Sequence, residues 1–124
     1  MTDKLVLEPT TEHPITIEPN PNRVTVTAGG TQIADTSAAL TLREGTYAPV
    51  FYISLADVDE SQLVRTDHGS YCPYKGDASY YSVPAAGADG ENTVWEYQEP
   101  YPAVAEIKGH VAFYADRVEI TEES

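Results

Sequence analysis

Basic side chains are scarce in this sequence. Seven lysines and arginines stand against twenty aspartates and glutamates, a formal charge of −13. Nucleic-acid binding draws its affinity from Lys and Arg displacing counterions from phosphates, so this composition speaks against DNA or RNA as a partner. An anionic membrane surface repels the chain for the same reason. The acids are scattered and read as a solvated surface, and so many of them with so few lysines would suit a high-salt habitat. Cysteine is nearly absent too. Cys72 is the only one, which excludes an internal disulfide. No apolar run approaches the length of a membrane-spanning helix, and no signal-peptide pattern opens the chain. The expectation is a soluble cytoplasmic protein.

What is present is a modest apolar content, 41%, spread over 124 residues. That is enough for one hydrophobic core without a metal or disulfide to hold it. Residues 1–22 are rich in Pro, Thr and Glu and read as an extended N-terminal arm, with "HPITIEP" able to pair on a sheet edge. From residue 23 the pattern has period two. Val24 and Val26 fall on one face, Gly29-Gly30 makes a turn, and residues 23–35 read as a hairpin. "ALTLRE" puts Leu40 and Leu42 inward and Arg43 on the opposite face, and "APVFYIS" follows as a strand. Residues 56–64, "ADVDESQLV", predict a short helix capped by Asp57. Further strands are predicted at "SYYSV", "TVWEY", "HVAFY" and "RVEI", with a helical turn at "VAEIKG". Nine or ten short strands with frequent turns predict a mostly β fold: one small tent- or barrel-like domain, over residues 23–120, of antiparallel strands with one or two helical turns.

The stretches "HPITIEPNPNRVTVTAGGTQIADTSAALTLREG", "SYCPYKGDASYYSV" and "VWEYQEPYPAVAEIKGHVAFYADRV" resemble the bacterial and archaeal family called domain of unknown function 427. The resemblance runs from His13 to about Val118. It implies a small, mostly β architecture related to the β-tent group, and it implies no particular reaction. Many β-tent relatives bind zinc through two Cys-x-x-Cys pairs, and a chain with one cysteine has no such site.

The chemistry-bearing residues concentrate in "HGSYCPYKGDASYYSV". Cys72 is a candidate nucleophile or redox thiol, because Lys75 three residues on can stabilise a thiolate and His68 four residues back can move protons. Its bland alternative is a small buried packing residue. Lys75, in a tight glycine turn with Tyr74 before it, can present its ammonium to an anion; otherwise it pairs with Asp77 at the surface. Arg43 can hold a carboxylate or phosphate at a pocket mouth, and Tyr52 and Trp95 can wall the same pocket or simply pack. Histidines at 13, 68 and 110 have no metal-ligand spacing, so no metal and no cofactor are expected. Asp57-Val58-Asp59 is the only Asp-x-Asp pattern, and the Gly-Ser pair that nucleotidyl transfer needs before it comes after it, at Gly69-Ser70. That activity is not expected.

Three functions remain. The favoured one is binding of a small anionic or aromatic molecule in a pocket lined by the 68–76 loop. The others are a Cys72-dependent transfer or redox enzyme, with Lys75 and His68 assisting, and a structural or interaction domain without ligand. The expected partner is a small molecule, with a homodimer left open.

Overall fold

The computed structural model describes residues 5–124. Ten strands form two antiparallel sheets. They are β1 (Ile15–Asn20), β2 (Arg23–Ala28), β3 (Thr31–Thr36), β4 (Ala39–Glu44), β5 (Val50–Ser54), β6 (Val64–Cys72), β7 (Gly76–Ser82), β8 (Val94–Glu96), β9 (His110–Phe113) and β10 (Glu119–Glu123). The large sheet runs β1-β4-β5-β9-β8-β7-β6 and the small one β10-β2-β3. The large sheet has open edges at β1 and β6, so the mostly β fold is not a closed barrel.

Alternation along the strands sorts the side chains into two cores. Val24 and Val26 of β2, Ile33 of β3, Ile53 of β5 and Val111 and Phe113 of β9 join the two sheets in the first. Leu42, Tyr52, Tyr80 and Ala112 face the other way, and with Val104 and Ile107 they build the second core. Neighbours in sequence thus serve opposite faces of the large sheet, as Tyr52 and Ile53 do.

The helix expected at 56–64 is replaced by two single 3-10 turns, Leu55–Asp57 and Glu60–Gln62. Val58 between them is extended and buried, bridging Ala34, while Asp59 N–H donates to the Ile33 carbonyl at 2.8 Å. Burial of a β-branched residue and docking on β3 override a weak helical propensity. Asp57 does not cap a helix; it accepts from Thr36 Oγ1 at 2.7 Å. Ser54 and Asp59 are the caps. The expected 68–76 loop is instead the closed end of the β6–β7 hairpin, with Pro73, Tyr74 and Lys75 as its turn. Residues Pro84–Gly90 and Pro102–Ile107 form 3-10 segments, the second where a helical turn was expected. No helix of the described residues is long and apolar enough to cross a membrane.

Candidate functional site

On the outer face of the large sheet the strands place Tyr52 (β5), Tyr80 (β7) and Trp95 (β8) around a cavity of about 280 Å³. Tyr97 and Tyr114, following β8 and β9, add two more aromatic walls. Trp95 donates its indole N–H to the Tyr52 hydroxyl at 3.2 Å, and the two rings meet edge-on at 6.4 Å. The Tyr114 ring lies 4.7 Å from Trp95, tilted by 47°. Burial pushes the phenol pKa of Tyr52 and Tyr97 well above the ordinary 10.0, and for Tyr52 this outweighs the opposing hydrogen bond from Trp95. Burial, then the neighbouring Tyr80 hydroxyl, raises that of Tyr114 as well. These phenols are neutral donors at physiological pH.

Two charged residues reach the same cavity, Lys75 and Glu44. Lys75 leaves the β6–β7 turn, where its N–H donates to the Cys72 carbonyl at 3.2 Å and its carbonyl accepts from Tyr101 N–H at 3.0 Å. Gly76 follows with φ +112°, a conformation that side chains disfavour. So fixed, the Lys75 ammonium ion-pairs with Glu44 Oε1, while Glu44 Oε2 holds His13 Nε2 at 2.8 Å. The His13 ring stacks on Tyr74, with centroids 4.1 Å apart and planes 9° apart. Burial alone would raise the Glu44 carboxyl pKa. The hydrogen bonds and charges of Lys75 and His13 hold it below its ordinary value.

Of the residues expected at a site, Lys75, Tyr52 and Trp95 therefore share one cavity. Cys72 is half-buried against the second core, its Sγ 3.9 Å from Lys75 Nζ, and is not in the cavity wall. Tyr74 is stacked on His13 behind the ion pair. His68 sits edge-on to Tyr80 at 4.5 Å and lines a different cavity. It is four residues from Cys72 along an extended strand, about 13 Å, so it does not exchange protons with that thiol. Arg43 lies on the opposite face of β4, in a polar surface cavity with Asn22, Phe51 and Glu122. Among the described residues, no three of His, Cys, Asp or Glu gather as a metal site.

Sequence reasoning passed over Glu44 and His13. Glu44 carried a signal, since it shares its face with Leu40 and Leu42, the face that lines the cavity. His13 carried none, because its contact with Glu44 spans 31 positions.

A protein-family model described as domain of unknown function (DUF427) matches residues 16–124. No curated protein matches the chain.

Proposed function

We propose, from the premise that this chain belongs to the DUF427 family and that the family's description names no reaction, that it is a binding protein for a small, uncharged ring. The observation that carries this reading is an aromatic cavity whose charges are already paired with each other. Six aromatic side chains wall it, Tyr47 at the rim among them, and the Lys75 ammonium is matched by Glu44 within the same wall. An incoming anion would have to displace a carboxylate that is held by two donors. A neutral ring gains the aromatic faces at no such cost. The cavity volume of about 280 Å³ lies just below the usual range for drug-sized ligand pockets, which fits a single ring. This favours the neutral form of the aromatic-ligand expectation over the anionic one, and it gives Cys72 no direct contact with the ligand.

Trp95 is the only tryptophan of the chain, so its emission reports on this cavity alone. The test titrates the protein with methyl glucoside and phenol as neutral rings and with inorganic phosphate as the anion. A saturable change with a neutral ring and none with phosphate is expected. Saturation by phosphate would restore the anionic reading, and an unmoved Trp95 throughout would sink ring binding.

A further inference from the structure

Tyr80 and Tyr114 do not belong to the first cavity alone. They also line a second one of about 500 Å³, together with His68, Asp89, Glu91, Asn92 and Arg117. We infer that the two cavities form one cleft and that its ligand is a neutral oligosaccharide of at least two units. One ring lies against Trp95. The next crosses Tyr114 into the polar compartment. The inference rests on the reading of the first cavity as a ring site and names the ligand class for it.

Three observations support the inference. The first is the shared wall. Tyr114 is 37% exposed, and its ring lies 4.7 Å from Trp95 and 5.1 Å from the Arg117 guanidinium. A line of tilted planar groups, Trp95, Tyr114 and Arg117, therefore runs from the aromatic compartment to the polar one. The C–H faces of sugar rings are apolar and suit such a line, whereas their edges carry hydroxyls.

The second is the hydrogen-bonding inventory of the new compartment. Asp89 and Glu91 offer carboxylate oxygens, which accept from adjacent hydroxyls in pairs. Asn92 is the one non-glycine residue with positive φ, at 49°, among the described residues. Its N–H donates to Ser82 Oγ at 3.0 Å and its side-chain oxygen accepts from Thr66 Oγ1 at 2.7 Å. The Asn92 side chain is thus held in place with its amide N–H groups left to offer.

The third is charge. The first compartment contains one ammonium and one carboxylate, paired. The second contains two carboxylates and one guanidinium, and the guanidinium already donates to the Glu91 carbonyl at 3.1 Å. Phosphorylated or uronic-acid chains would meet this excess of acid inside a protein of charge −13. Hydroxyl groups are acceptable to both compartments.

The test follows Trp95 emission during titration with mono-, di- and trisaccharides of glucose, mannose and galactose. For one of these series, the di- or trisaccharide is expected to bind at least tenfold tighter than its monosaccharide. Asp89→Ala and Glu91→Ala, both at exposed positions and neither in the wall of the first compartment, are expected to remove that gain and leave monosaccharide affinity unchanged. Equal affinity at every chain length, or variants without effect on the longer chains, would overturn the two-compartment cleft while the ring site stands. Saturation by phenol with no response to any sugar would overturn the sugar assignment alone. No response to any ring would overturn both readings.

Discussion

The Lys75 ammonium is ion-paired with the Glu44 carboxylate, and only 10% and 16% of the two side chains are exposed. Removing one partner leaves the other charged and poorly hydrated. Glu44→Gln or Lys75→Met alone is expected to destabilise the fold by about 3 kcal/mol. The double variant leaves no lone charge, so its loss should fall well short of the sum. Urea unfolding of the four proteins measures the coupling. Additive losses would mean the two charges do not support each other.

Glu44 also sets a pH dependence whose sign is fixed. Its folded pKa lies below the ordinary 4.5. A depressed carboxylate contributes stability that is fully present above the unfolded value and is lost as pH falls through the folded one. Other acids weaken the protein over the same range, so the informative quantity is a difference. The stability gap between wild type and Glu44→Gln should narrow as pH falls below 4.5 and through the lower folded value. A gap that persists or widens in acid would contradict the pairing.

Cys72 is packed against the second core and is absent from the cavity wall. Cys72→Ala is therefore expected to leave ring-ligand affinity within about twofold, with a modest loss of stability from the shortened side chain. Trp95→Phe, in contrast, changes the wall itself and should weaken binding at least tenfold, as read by calorimetry. If Cys72→Ala abolishes binding in a folded protein, the thiol is part of the site and the enzyme alternative gains.

Much of the fold was legible because alternation at period two is read directly from sequence. Val24 and Val26, and Leu40 and Leu42, take the faces expected of them. The helix at 56–64 was misread because the burial of Val58 against Ala34 depends on a strand more than twenty positions away. Half of the site was legible for a related reason. Trp95 and Tyr97, two apart in "TVWEY", announce an aromatic wall, and a lysine before glycine announces a fixed cation. That Glu44 and not Arg43 meets that cation follows from side-chain parity on β4. The hydrophobic positions give that parity, but chemical appeal had favoured the arginine.

Thr93 tests the packing behind the site. Its side chain is fully buried, and its hydroxyl has no hydrogen-bond partner among the described residues. An unpaired buried hydroxyl is costly, and valine keeps the branched shape without it. Thr93→Val is expected to raise stability by about 1 kcal/mol in urea unfolding. A loss instead would show that the hydroxyl is satisfied in solution, by water.

The arm of residues 5–14 closes over the ion pair through a small set of contacts. Leu7 N–H donates to the Pro73 carbonyl at 2.9 Å, and the Tyr71 hydroxyl donates to the Leu5 carbonyl at 2.5 Å. His13 contributes both its stack on Tyr74 and its bond to Glu44. Beyond Pro14 the chain joins β1, which is held by its ladder with β4. His13→Ala removes a stack and a hydrogen bond together worth about 1–2 kcal/mol. The arm should then open roughly tenfold more often, since 1.4 kcal/mol is a factor of ten in an equilibrium. Hydrogen exchange resolves this residue by residue. The Leu7 amide should exchange about ten times faster in the variant, while β1 amides paired with β4 keep their rates. Faster exchange in β1 as well would mean that His13 anchors the sheet edge as well as the arm. An unchanged Leu7 amide would mean that the arm docks without it.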